Sequence, residues 1–573
     1  MRRLLGRAHH ARGRWSFDPA RHREGVRELK WKGPIGPEDG DYIIAEVFGD
    51  GPALMVEVLG ADDRPQWDDT AVASQFRLRV HFPPEALVEA DAHHEPGARE
   101  RGSRLDLRET LIFTIDPADA RDHDDALHVT RLPDGRYEVG IHIADVSHYV
   151  TPGSALDAEA RARGTSCYLP GGVVPMLPER LSAGLCSLHE GVDRLALSVL
   201  CVLGPDAILH EYRFVESVIR CRASLSYEQV QDSLEGREPL PPDQGDACET
   251  LMALARALRK RRLSVGALAI ESAEAKAVVD ELGEVIRIER RPHLESHELV
   301  EEFMLLANRC VGEAGAVRGS GVLYRVHEPP LVHKLEALDQ MLRVLQLPRL
   351  GAIGQPHRAL QALLKVPLDP AKKRVVHRLA LRSLTRARYL ERDLGHFGLA
   401  TFEYCHFTSP IRRYPDLHNH RRVREWIRGR QDRAWDPHEN SGLAEQCSGT
   451  EQNATDAERE GIKVKGLRHL ETRLGERACG SITGLTPRGF FVELDDVPVD
   501  GFVRIGNYFD DRFELDATGV RLEGRRTRRR YTLGDPIEVI VARVDVPARE
   551  ADFAPVVQDA RRGRRGHGRQ GWR

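Results

Sequence analysis

Between Thr114 and Asp125 the chain places five aspartates in ten positions, Asp116, Asp119, Asp122, Asp124 and Asp125, directly behind the apolar run Leu111-Ile-Phe-Thr-Ile115. The apolar run reads as a buried strand, and carboxylates crowded at its end resist ionisation unless a cation neutralises them. Pro117 bends the chain immediately after the strand and holds the acids in a tight loop. Hard oxygen donors at this density suit magnesium or manganese. A solvated acidic loop is the ordinary reading of a charge run. A helix-loop-helix calcium site fails, because neither its glycine nor its closing glutamate falls at the required place after Asp122. Position and density favour a catalytic centre, in which two ions about 4 Å apart stabilise both oxygens of an in-line phosphoryl displacement.

The surrounding pattern predicts an α+β fold. Residues 1–32 lack sustained periodicity and read as a basic N-terminal arm. Tyr42–Phe48, Ala53–Leu59 and Arg77–Val80 read as strands of a small barrel over 33–97. After the aspartates, Ala126–Leu132 and Tyr137–Ala144 form a hairpin through Pro-Asp-Gly, so the acidic loop lies between strands. Gly164–Pro178 is a long ordered loop rich in proline and glycine, of the kind that usually serves function. From Asp246 the period becomes helical, through Asn453–Leu474. Strands gathered early and helices late in one block, 98–474, exclude a βαβ alternation. Residues 475–556 return to short strands with glycine corners, a second barrel, and the Gly/Arg-rich tail 557–573 reads as disordered.

With 573 residues the chain exceeds a single core. Its net charge of -4 does not announce a nucleic-acid partner, but both ends are basic: five arginines and no acid in the first seventeen residues, six and none in the last thirteen. The nine cysteines form no CxxC, which argues against a zinc site, and no apolar run is long enough to span a membrane, so a cytoplasmic protein is expected.

A second constellation, His406-Phe-Thr-Ser-Pro-Ile-Arg-Arg-Tyr-Pro-Asp416, places Arg412 and Arg413 before a helix start, where they can bind phosphate; surface ion pairs are the plainer alternative. In the second barrel Phe490 and Phe491, beside Arg488 and near Arg504, can offer stacking and cationic surface to a single strand, although such aromatics more often fill a core. His142, Asp145 and His148 look like metal ligands, but a strand followed by a turn does not put them on one face.

Five motifs, in order along the chain, are similar to the ribonuclease II / ribonuclease R family: Thr114–Ala126, His142–Val150, Tyr168-Leu-Pro with Pro175–Ser182, Leu299–Met304 and His406–Leu417. The resemblance implies a catalytic domain of the RNB fold, a cold-shock-like barrel before it and a barrel of the ribosomal S-one type after it. It implies a processive, magnesium-dependent exoribonuclease acting on single-stranded RNA from the 3′ end, releasing nucleoside 5′-monophosphates; one strand threading to one buried site suggests a monomer. Carried over by position, Asp116, Asp122, Asp124 and Asp125 are the acidic cluster, and Asp119 lies outside it. Arg412 steadies the scissile phosphate, Tyr168 stacks on the terminal base and Glu301 contacts the terminal nucleotides. Two departures stand out. Related enzymes usually carry two front barrels where this chain has room for one, and Ile270 falls where many relatives have an aromatic opposite the stacking tyrosine. An inactive RNA-holding protein and a small-molecule phosphodiesterase are the alternative classes.

Overall fold

The computed structural model describes residues 2–556, apart from 21–24, 35, 62, 271–273, 292, 320, 352, 431–436 and 498. The tail expected to be disordered, 557–573, lies outside the described residues.

The chain begins in a closed five-stranded barrel: Arg2–Ala11, Arg14–Pro19, Arg27–Lys30, Ala53–Gly60 and Tyr42–Val47, in that order around the ring. The expectation of a loose arm over 1–32 is thereby corrected. Leu4, Ala8, Phe17 and Leu29 fill this barrel together with Ile43, Ala45 and Val47. The inward residues are too widely spaced, and too diluted by arginine and histidine, for the strands to show in a local window. At the other end, Arg77–Val80 is no strand; the barrel chain leaves through the helix Asp68–Gln75, and Arg77 takes a positive φ of 55°.

The middle of the chain is built on a sheet ordered Asp193–Leu203, Tyr137–Ala144, Asp125–Arg131, Ile112–Asp116, Leu209–Ser226 and Leu105–Asp106. The long strand Leu209–Ser226 pairs antiparallel with Asp193–Leu203 along its first part and parallel with Ile112–Asp116 along its last. The sheet therefore closes on itself, and the carboxylates at the end of Ile112–Asp116 sit on a rigid rim. One face of this sheet packs Phe113, Leu127, Ile141 and Val199 against Leu251 of the helix Pro242–Val265 and Phe303 of the helix Glu295–Arg318. A second core, around Ile112, Val146, Leu177 and Leu185, receives Ile411, Tyr414 and Leu417. This seats the start of the helix Tyr414–Ile427 beside the aspartate loop.

The helix Pro437–Glu471 runs on to a second closed barrel, in the ring order Arg477–Thr486, Gly489–Leu494, Asp500–Arg504, Glu550–Pro555, Pro536–Asp545. Both barrels thus share the strand order 1-2-3-5-4, the five-stranded plan used to bind single strands. Among the described residues no helix is long and apolar enough to cross a membrane.

Candidate active site

The aspartate loop is fastened at several points. Asp124 Oδ1 accepts the Ile411 N–H at 2.9 Å and its backbone carbonyl the Ala144 N–H at 2.9 Å. The Ser187 hydroxyl accepts from the His123 N–H at 3.0 Å and donates to the Arg121 carbonyl at 2.9 Å. His123 Nδ1 lies 2.7 Å from Asp116 Oδ2. The Tyr168 hydroxyl donates to Asp122 Oδ2 at 3.2 Å. Asp119 turns away to an ion pair with Lys276 at 2.5 Å, which leaves four acids at the centre.

The electrostatics are those of a site short of positive charge. Asp124 is 4% exposed, and its Oδ2 is buried without a hydrogen-bond partner, 3.6 Å from Arg412 Nε. Burial raises its pKa well above the usual carboxylate range, against the pull of Arg412. Asp125 is pushed up to about 8 by burial and then by the charge of Asp116. Burial opposes a charge on His123, but its bond to Asp116 and the surrounding aspartates outweigh it and raise its pKa. An orphaned buried oxygen and carboxylates reluctant to ionise are what a hard divalent cation would relieve. Among the described residues no group of three side chains of the ligand types is arranged to hold a metal ion, and Asp116, Asp122 and Asp124 each hold a protein partner. Carboxylate oxygens are hard donors, the chemistry that suits a divalent cation.

Arg412 is half-exposed, with Nη2 donating to Ser409 Oγ at 3.0 Å, and its carbonyl accepts from the Ser166 N–H at 2.9 Å. The chain leading to Tyr168 is thereby joined to the arginine loop. Tyr168 is 41% exposed on the short strand Cys167–Leu169, whose other two residues face inward.

The other expected positions have the following surroundings. Arg413, half-buried, is paired with Asp416 at 2.8 Å at the helix start; burial opposes its charge, but the pair outweighs it and raises its pKa. Phe490 is fully buried against Tyr531, while Phe491, the next residue, is 39% exposed and packs on Phe502. Adjacent strand residues face opposite ways, so the pair could never share one surface. Glu301, on the exposed side of the helix Glu295–Arg318, faces Arg262 at 3.6 Å. Ile270 packs half-buried against the apolar cluster around Leu335 and Leu360. Arg504 is half-exposed, paired with Asp552 at 3.3 Å and set over the Phe502 ring. The histidine-aspartate triplet is taken up structurally: His142 by Ser198 at 2.7 Å, Asp145 by Arg104 at 2.6 Å and His148 by Glu100 at 3.1 Å.

Sequence reasoning missed His123, Phe502 and Tyr227. His123 was signalled only by its place within the acidic loop, and Phe502 by its register opposite Phe491. Tyr227 stacks on His297 at 3.9 Å, and its hydroxyl pKa is raised by burial and then by Asp125 and Asp116, which no local pattern foretells.

A family model described as RNB domain matches residues 104–429, and one described as S1 RNA binding domain matches 471–554. Ribonuclease R of Thermotoga maritima is 38% identical over 543 residues, covering 91% of this chain and 76% of the relative. Ribonuclease R 1 of Lactococcus lactis is 36% identical over 512 residues, 87% of this chain but 62% of the relative, so the chain spans less than two thirds of that protein's length. The solved apo form of Mycoplasma genitalium RNase R superposes with a TM-score of 0.87 at 25% identity, covering 97% of this chain and 90% of that one.

Proposed function

Because this chain belongs to the RNB-domain ribonuclease R family, we propose that it is a metal-dependent exoribonuclease that shortens single-stranded RNA from its 3′ end, processively, to nucleoside 5′-monophosphates. The observation that carries the reading is the orphaned Asp124 Oδ2 beside Arg412, with Asp116, Asp122 and Asp125 around it. Asp116, Asp122, Asp124 and Asp125 would hold magnesium, in a pair of ions, or manganese. When bound, the metal supplies Lewis acidity to the phosphoryl displacement.

The protein's own residues do the rest. Arg412, half in solvent, is placed to neutralise the charge that grows on the phosphate. Tyr168 offers its ring to the last base while Asp122 holds its hydroxyl. Phe491 and Phe502, with Arg504, give the second barrel a stacking and cationic surface for the strand upstream. One strand entering end-first needs one copy of the chain, so we expect a monomer, working in the cytoplasm.

Uniformly labelled single-stranded RNA incubated with the protein and magnesium should yield mononucleotides. Intact RNA held in a complex would instead indicate an RNA-holding protein, and intact free RNA a phosphodiesterase of small molecules. Phe491→Ala should weaken RNA binding about tenfold, one stacked base. Phe490→Ala should leave the surface intact and destabilise the barrel by about 3 kcal/mol; equal effects of the two on binding would contradict the assignment.

The acids also predict a pH dependence. A carboxyl whose folded pKa is raised contributes stability below its unfolded value, and this is lost as pH rises through the folded value. For Asp125 the window runs from the ordinary aspartate range to about 8. The rise in Tm on adding magnesium should therefore be larger at pH 8 than at pH 6. A rise independent of pH would show that the ion binds elsewhere.

A further inference from the structure

Tyr168 stands on a strand too short to hold itself. Its neighbours Cys167 and Leu169 belong to the apolar cluster that also takes in Val72 and Ala73 of one helix and Ala454 and Ala457 of another. Those helices lead to the two barrels: Asp68–Gln75 leaves the first and Pro437–Glu471 enters the second. Each reaches the tyrosine hairpin with one carboxylate. Asp69 Oδ2 accepts the Gly171 N–H at 2.6 Å at the turn, and Glu458 Oε1 accepts the N–H of Tyr168 itself at 2.8 Å. The fit is close on both sides. A Cβ at Gly171 would stand 2.5 Å from Asp69 Oδ2, and one at Gly461 would stand 2.8 Å from Pro170. The helices are further tied to each other by Asn453, which donates to the Phe76 carbonyl at 2.8 Å.

We propose that Asp69 and Glu458 are positioning residues that hold the Tyr168 ring over the aspartate loop, one anchored from each barrel. This rests on the stacking role given to Tyr168 above. Neither carboxylate belongs to the acidic cluster, and each acts through a main-chain amide of the hairpin. The hairpin's third tether, Tyr168 to Asp122, lies on the side of the metal loop. With either carboxylate gone the ring keeps that hydroxyl bond but loses its fixed height above the loop, so grip on the last nucleotides weakens while the barrels still hold a long strand.

The test is the limit product of a 5′-labelled single-stranded RNA, together with kcat and KM on a short oligonucleotide and on a long RNA. Asp69→Ala and Glu458→Ala should lengthen the limit product, as Tyr168→Ala does, and raise KM about tenfold on the short substrate, the scale of one lost stack, with the long RNA unchanged. Asp69→Asn and Glu458→Gln keep an acceptor oxygen and should restore the wild-type product. Each alanine combined with Tyr168→Ala should add nothing, since both act through one ring. Should Asp69→Ala fold poorly, Glu458→Ala, half-buried on the long helix, carries the test. A shifted product for Tyr168→Ala beside wild-type products for both carboxylate variants overturns the positioning role alone. Intact RNA with the wild-type protein overturns the nuclease reading beneath it.

Discussion

Asp125→Asn is expected to lower hydrolysis of single-stranded RNA by roughly 10³-fold or more while leaving RNA affinity within about twofold. The loss is large because removing one charge from a metal-holding set forfeits several kcal/mol of transition-state stabilisation. Affinity survives because it is gathered along the strand, from cationic and aromatic contacts distant from the reacting phosphate. The substitution is also mild toward the fold. Burial and Asp116 already disfavour the ionised form of Asp125, so a neutral amide of the same shape relieves repulsion. Single-turnover cleavage of a labelled oligonucleotide, beside filter binding of the same strand, separates the two effects. Turnover near that of the wild type would sink the assignment of Asp125 to the metal set.

Lys465→Met should produce the largest loss of stability outside the cores, about 3 kcal/mol. The ammonium is 1% exposed and donates to Asp68 Oδ2 at 2.9 Å and to the carbonyls of Pro65 and Gly283, both at 2.8 Å. Methionine fills the space but takes a donor from the Gly283 carbonyl and from Asp68 Oδ2, while the Pro65 carbonyl keeps the Asp68 N–H. Asp68 would keep Arg468, at 3.0 Å, which limits the damage. These contacts tie the exit of the first barrel and the hairpin containing Gly283 to the long helix, so the break should show as a lower urea midpoint. Lys372→Met, on an exposed pair with Asp369, provides the control, with an expected effect within about 0.5 kcal/mol. A midpoint shift no larger than the control's would show that the buried amine contributes nothing.

Much of this was legible in one dimension where the signal is local. The apolar run before the aspartates, the hairpin after them and the helical period that sets in from Asp246 declare themselves, because burying one face of a strand or helix imposes a regular spacing, whereas the helix Pro356–Leu364 and the first turns of Pro437–Glu471 did not show. Nor did the first three strands of the front barrel. A small barrel takes only every second residue inside, and in Arg2–Ala11 the outward positions include arginine and histidine that mimic a solvated arm. The register of Phe490 and Phe491 was likewise beyond a reading of composition. Once the strand is placed, alternation sends one ring into the core and the other to the surface.

The sequence by itself determined the chemistry of this protein: four aspartates at the end of a strand, an arginine pair ahead of a helix, and the family to which those motifs belong. Tertiary structure alone decided which of them work together. It gave Arg413 to Asp416 and Asp119 to Lys276. It also brought Asp69 and Glu458, 389 positions apart, to one hairpin. The reason is physical. A residue's chemical type is carried by its own side chain, but its partner is set by packing between segments that no local pattern links, and an ion pair or hydrogen bond exists only where that packing brings donor and acceptor within about 3 Å.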